Sequence, residues 1–264
     1  MGDGVIYVAQ GADYLELALA SAGTLVAHNP GLAVDLFTDQ TPPPSALFAQ
    51  VHPIPNIPGL PPKLACLPLS RFDRTLYLDC DTLVVKPFGD LYDILARFDL
   101  ALAHDVRRIW SLIREGHTET TPYAFPQHNA GVMLYRRSPA MAAFLADWAA
   151  RYLAAGRERD QITLKDLLWS SDIRFYVLPP EFNLRRVTLM DAWEPLDALP
   201  TIIHSHRFLQ HLRFGGQPRV RTLAELMVLE RQALAAEWRA LGLEPKAATG
   251  EDPGTRFTDR LDAE

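Results

Sequence analysis

"RTLYLDCDTLVV", from Arg74 to Val85, decides how this chain is read. An otherwise apolar, strand-like run ends on two carboxylates, Asp79 and Asp81. At roughly 4 Å and an effective dielectric of about 20, two like charges repel by about 4 kcal/mol. Something at that strand end has to offset the repulsion, and the flanking sequence indicates what.

Upstream, "GVIYVAQ" (Gly4 to Gln10) is β-branched and aromatic and reads as a buried strand. "YLELALASAGTLVAH" follows at helical spacing and stops near Asn29-Pro30-Gly31. "LAVDLFTD" (Leu32 to Asp39) is a second strand, "VHPIPNIPG" an extended piece broken by prolines, and Lys63 to Ser70 a helix. Downstream, a helix is expected near Leu91 to Arg97, and "FDLALAHD" is a strand that ends on another carboxylate, Asp105. The stretch from Val106 to His128, with Arg107 and Arg108, is polar and long for a connector. "NAGVMLYRRS" is a strand entered through Asn129 and Gly131, and "PAMAAFLADWAARYLAAG" and "RDQITLKDLLW" are helices. "IRFYVLPPEFN" and "TIIHSHR" are strands, and Arg221 to Leu241 is an amphipathic helix.

This alternation predicts an α/β fold with a mainly parallel, mixed central sheet flanked by helices. Ligands of such sheets collect at the carboxyl ends of the strands, where Asp79, Asp81 and Asp105 all fall. The expected division is a domain over 1–220, a C-terminal helix over 221–243 packed on it, and a polar tail over 244–264.

The chain has 264 residues, 48% of them hydrophobic, and a net charge of −6. That charge disfavours nucleic acid as a main partner, whereas a small phosphate ligand remains compatible if a cation supplies positive charge. Two cysteines without metal-type spacing point to a reducing compartment. The opening, "MGDGVIYVAQG", lacks a basic n-region, and Ile6 stands where a myristoylation signal needs Ser or Thr. No apolar run is long enough to span a bilayer. The expected location is the cytoplasm.

Two chemistries use D-x-D after a strand. "LYLDCDTLV" satisfies the D-x-D-x-T string of haloacid-dehalogenase-like phosphatases, in which the first aspartate is a nucleophile and the second a general acid. That family carries the motif on its first strand, however, and needs a second acidic motif that this chain lacks. In the other chemistry, a sugar nucleotide leaves as a diphosphate, which a divalent cation must neutralise. Two aspartates hold Mg²⁺ or Mn²⁺ through oxygen and leave positions for diphosphate oxygens. Here a βα region precedes the motif, as that scheme requires.

From Gly4 to Arg207 the chain resembles GT-A-fold (Rossmann-like) nucleotide-diphospho-sugar transferases, in particular the glycogenin and bacterial lipopolysaccharide galactosyltransferase family. The resemblance rests on ordered short blocks: "KLACLPLSRFDRTLYLDCDTLV", "HNAGVMLYRRS", "RDQ", "LPPEFN" and "IIHSHR". It implies a metal-dependent glycosyltransferase that moves a sugar, with retention, from a nucleotide-diphosphate donor of the UDP type. The acceptor is open: a glycan, a lipid-linked sugar or a small molecule. An oligomer is compatible with the resemblance.

By resemblance, Asp79, Asp81 and His204 bind Mn²⁺ or Mg²⁺, with His206 as the rival histidine. Asp105, Asn129, Asp160 and Gln161 are the expected catalytic and sugar-side residues, and Asn183 of "LPPEFN" joins them. Ala9, Tyr14, Lys63, Asp79, Cys80, Asp81 and Arg207 are expected to contact the donor. The family's final block normally carries a diphosphate-gripping lysine that "HSHRFLQHLRFGG" lacks. Arg207 or Arg213 is the expected replacement, since a guanidinium suits phosphate oxygens; a non-catalytic nucleotide-sugar-binding protein is the alternative that the missing lysine leaves open.

Overall fold

Two parallel strands, β1 (Asp3–Ala9) and β4 (Arg74–Leu78), lie side by side near the middle of a seven-stranded sheet. The structure, a computed structural model, describes residues 2–106, 116–156 and 159–242. Arg107, Arg108 and the 244–264 tail lie outside the described residues. Next to β1 runs β2 (Ala33–Thr38), and β3 (Gln50–Pro53) closes that edge. Pro53 is tolerated there because an edge strand does not need every amide. On the other side of β4 come β7 (His128–Arg136), β6 (Leu100–His104) and β8 (Phe175–Val177), giving the order β3-β2-β1-β4-β7-β6-β8. β7 is antiparallel to both neighbours and every other pairing is parallel. The sheet is therefore mixed and mainly parallel, as expected.

The strands read as continuous apolar runs because both faces of the sheet are covered. Val5, Tyr7 and Ala9 of β1 enter one buried cluster, while Ile6 and Val8 enter the other. The first face packs against α1 (Gly11–His28), through Leu15, Ala18, Ala22 and Leu25. The second packs against α3 (Pro139–Ala155) and α4 (Asp160–Ser170), where Trp148 is fully buried and its indole N–H donates to the Asp160 carbonyl at 3.1 Å. Each such large apolar side chain stabilises the fold by about 1.5–3 kcal/mol. Ser138 caps α3 by accepting from the Met141 amide at 3.1 Å, and Gly156 ends it at φ +57°.

Three expected elements differ in detail. The predicted helix over Lys63 to Ser70 is a five-residue helix, α2 (Pro62–Cys66), followed by a 3₁₀ turn at Leu67–Leu69. The helix expected near Leu91 to Arg97 is a 3₁₀ segment, Leu91–Ala96. Finally, "TIIHSHR" does not join the main sheet. Its strand, β9 (Ile202–His204), pairs antiparallel with β5 (Thr82–Val84), a short strand formed just after the D-x-D motif. The chain ends its described part with α5 (Gln210–Arg213) and α6 (Leu223–Ala240), the latter opened by a capping box between Thr222 and Glu225.

Candidate active site

The β5–β9 ribbon builds the centre. Its register sets Thr82 opposite His204, and the Ser205 amide donates to the Asp81 carbonyl at 3.0 Å. A histidine far along the chain is thereby fixed against the end of β4. His204 Nε2 lies 3.3 Å from Asp81 Oδ1 and 3.6 Å from Asp79 Oδ2. One ligand atom from each of the three residues falls within 4.8 Å of the others, a spacing that one cation can bridge. Burial alone would raise the Asp81 carboxyl. The His204 ring, and then Arg185, outweigh it and hold Asp81 below its ordinary value.

Gly131 is required by this packing. A bulge interrupts the β6–β7 register between Leu102 and Ala103, and Gly131 sits in the displaced part of β7. Its carbonyl accepts the Asp79 amide at 2.7 Å. A Cβ there would stand 2.1 Å from His204 Cε1 and 2.6 Å from Asp79 Oδ2. In the sequence, Gly131 marks only the entry to a strand. Its actual role is to admit the ligand side chains.

A chain of amides then decides which nitrogen of His204 faces the carboxylates. The Asp105 carboxylate accepts from Gln161 Nε2 at 3.0 Å, so Gln161 presents Oε1 to Asn129 Nδ2, also at 3.0 Å. Asn129 Oδ1 accepts both the Gly131 amide at 3.0 Å and Asn183 Nδ2 at 2.9 Å. Asn183 therefore turns Oδ1 to His204 Nδ1, 3.0 Å away. An amide oxygen can only accept, so Nδ1 donates its N–H to Asn183 and Nε2 is the nitrogen turned toward Asp79 and Asp81. A cation bound there would take the unprotonated Nε2. Asp105, Gln161, Asn129 and Asn183 thus form one connected line that ends on the metal-site histidine.

On the other side of the pair, Lys63 Nζ lies 3.7 Å from Asp79 Oδ1 and 3.4 Å from Asp160 Oδ2, above the Tyr77 ring. Burial would lower the Lys63 amine, but Asp160 and Asp79 outweigh it and raise it. The Tyr77 hydroxyl donates to Asp79 Oδ1. These groups open on a cleft of about 480 Å³, whose far wall carries Val8, Gln10, Tyr14 and Arg213. Arg213 donates to the Tyr14 hydroxyl at 3.0 Å.

The expected residues fall into three groups. Asp79, Asp81, Lys63, Asp160, Cys80 and Tyr14 border the cleft, and Asp105, Asn129, Gln161 and His204 belong to the amide line behind it. Cys80 is mostly turned inward: its thiol donates to the Val8 carbonyl at 3.2 Å, and burial pushes its pKa well up, so it is no nucleophile. Ala9 points into the core, and its neighbours Val8 and Gln10 line the cleft instead, because alternate β1 residues face opposite sides. Arg207 lies outside this cleft, in a second cavity with Glu230, whereas Arg213 lies within it. His206 lines both cavities without joining the ligand cluster. Arg185 was not anticipated; it stands 3.7 Å from Asp105. Its place after "LPPEFN" was the available signal.

No family model matches the chain, and no curated protein matches it. Solved structures do. The galactosyltransferase LgtC, in complex with donor and acceptor sugar analogues, is similar at 17% identity and TM-score 0.56, over 90% of this chain and 99% of that one. GlyE, a glycosyltransferase of Streptococcus pneumoniae, is similar at 19% identity and TM-score 0.55, over 94% of this chain and 66% of that one. Mouse xyloside xylosyltransferase 1 is similar at 12% identity and TM-score 0.52, over 78% of this chain and 98% of that one. The likeness shows the fold: the chain has the GT-A fold.

Proposed function

We propose that the chain is a glycosyltransferase that takes a sugar from a nucleotide-diphosphate donor, UDP-linked, and uses Mn²⁺ or Mg²⁺. The observation that carries this reading is the Asp79–Asp81–His204 cluster, set at the carboxyl end of β4 beside a cleft of about 480 Å³. The donor set fits a hard divalent cation: two carboxylate oxygens and one imidazole nitrogen, Nε2, with the ring oriented from behind by Asn183. When bound there, the cation neutralises the departing diphosphate.

The protein's own groups have separable tasks in this scheme. Lys63, held cationic by Asp79 and Asp160, and Arg213 on the opposite wall bring positive charge to the diphosphate. Arg213 is the better substitute for the missing lysine, because Arg207 lies in the other cavity. Tyr14 borders the nucleoside end. Asp160 and Gln161, at the first turn of α4, and Asp105 orient the transferred sugar. Transfer with retention rests on the resemblance, and no side chain is assigned as nucleophile. The unit over 1–220 carries the chemistry, with α6 packed on it.

The phosphatase alternative is not favoured, since the motif follows the fourth strand and the similar structures are glycosyltransferases. Both cysteines are free and buried, which supports a reducing compartment such as the cytoplasm. No described helix is long and apolar enough to cross a membrane.

Calorimetric titration of UDP with Mn²⁺ tests the reading. Binding should require the metal and weaken at least ~100-fold in Asp81→Ala, because one of three protein ligands is gone. UDP binding that ignores both metal and substitution would sink it.

A further inference from the structure

A second cavity, of about 370 Å³, adjoins the donor cleft. Asp105 forms part of its wall, and His206 is shared with the donor cleft. α6 supplies another wall through Glu230, Ala233, Leu234 and Glu237, whose spacing places them on one helix face. Only Leu226 of this 18-residue helix is fully buried. Core packing alone therefore gives a weak account of why the helix lies there.

The charge of this cavity is distinctive. Arg159, Arg185, Arg186 and Arg207 line it, against the carboxylates of Asp105, Glu230 and Glu237. Two of those carboxylates are already engaged: Arg207 Nε lies 3.1 Å from Glu230 Oε1, and Arg185 lies 3.7 Å from Asp105. Among the described residues, neither Arg159 nor Arg186 has an acidic partner, and both are exposed into the opening. The cavity thus holds one guanidinium in excess, within a chain whose net charge is −6. Elsewhere among the described residues most arginines are spent on ion pairs, such as Arg71 on Asp35, Arg74 on Asp3, Arg136 and Arg174 on Asp99, and Arg231 on Asp191. Arg185 also reaches toward the reaction centre, since its charge is felt at both Asp81 and His206.

We infer that this cavity receives the acceptor, and that the acceptor is an anionic sugar, bearing a phosphate or a carboxylate that Arg159 and Arg186 grip while Asp105 faces its sugar end. Planar, forked donors suit both anions, and a neutral sugar would leave the carboxylate of Glu237 to face both guanidinium groups. The inference rests on the proposed glycosyltransferase reading and names its second substrate class.

The test titrates the full chain with α-glucose 1-phosphate, with glucuronate and with glucose, each in the presence and absence of UDP and Mn²⁺. The two anions should bind with UDP present and glucose should not. Arg186→Glu should weaken the anions at least tenfold while UDP and Mn²⁺ bind as before; Arg159→Glu is the independent second variant. Equal binding of glucose and the anions, or binding of none, overturns the inference. So does displacement of the anions by UDP, or loss of UDP affinity in either variant, because the arginines would then serve the donor diphosphate. Failure of UDP to bind the unsubstituted chain counts against the glycosyltransferase reading, whereas the response of the anion titrations to Arg186→Glu still judges the cavity.

Discussion

The two ends of the central strands treat carboxylates in opposite ways. At the amino end of β4, every buried or half-buried acid is matched to an arginine. Arg74 bonds Asp3 through two nitrogens and also reaches Asp93, while Asp99 accepts from both Arg136 and Arg174. At the carboxyl end, among the described residues, Asp79 and Asp81 form their ion pairs with His204 and Lys63 rather than with an arginine. Like charges held a few ångströms apart destabilise the isolated fold. The first end serves stability, and the second gives some of it up for a cation site. Substitutions at the two ends should therefore separate function from stability.

The largest expected effect is at Gly131. Gly131→Ala drives a methyl into His204 and Asp79, so Mn²⁺-dependent UDP affinity should fall at least ~100-fold. Overpacking of this kind costs about 1–3 kcal/mol, so calorimetry and thermal unfolding should both report it. Unchanged metal-dependent binding would mean that the ligand geometry is wrong. Asn183→Ala comes next. It removes the acceptor that fixes His204 Nδ1–H, and losing the hydrogen bond behind a metal-binding histidine lowers metal affinity about 10–100-fold. An Mn²⁺ titration followed by electron paramagnetic resonance reads the loss directly, and Asn183→Asp, which keeps the acceptor, should restore most of it.

The opposite end should behave in the reverse manner. Asp99→Asn leaves Arg136 and Arg174 without their shared carboxylate, costing about 1–3 kcal/mol and lowering the melting temperature by about 2–4 °C per kcal/mol. UDP and Mn²⁺ binding should not change. Burial would raise the Asp99 carboxyl, but the hydrogen bond from Arg136 and the Arg174 amide hold it below its ordinary 3.8. A depressed carboxyl stabilises the fold above its unfolded value and loses that contribution as pH falls through the folded one. The gap between variant and parent should therefore close below about pH 4. A gap of constant size would show that the ion pairs are not its source.

The smallest effect at neutral pH is expected at His128, which packs against Phe125, Phe175 and His104. Among the described residues, neither of its ring nitrogens has a hydrogen-bond partner. Burial, helped by His104, lowers its pKa from 6.5 to about 3. Between those values the unfolded chain binds the extra proton, so stability falls on acidification by about 1.4 kcal/mol per pH unit. His128→Phe should be near neutral at pH 7 and should flatten this acid limb in pH-dependent melting. An unchanged limb would assign the acid sensitivity to other groups.

The strands and helices were legible because their signals are local. β1, β4 and β6 are mainly apolar runs, β2 is one apart from Asp35, and α1, α3, α4 and α6 carry helical spacing, with a cap at α3 and α6. Asp79, Asp81 and Asp105 were placed correctly at the carboxyl edge because a strand's direction fixes where its last residue lies. Ala9 turns its side chain into the core, since a one-residue step along a strand changes the face.

What the sequence determined by itself is the α/β order and the D-x-D strand end. Its composition and motif order also set the expectation of a metal-dependent sugar-nucleotide chemistry. What only the tertiary structure decided is how distant residues meet. The three-residue pairing of β5 with β9 brings His204 to Asp81, the β7 bulge demands Gly131, and the amide line from Asp105 orients the histidine ring. The separation of Arg207 from Arg213 into two cavities belongs to the same class. Apolar periodicity is written in neighbouring residues, whereas a ligand set is closed by contacts between segments far apart in the chain, and no local pattern records which of two nearby histidines or arginines the fold will turn inward.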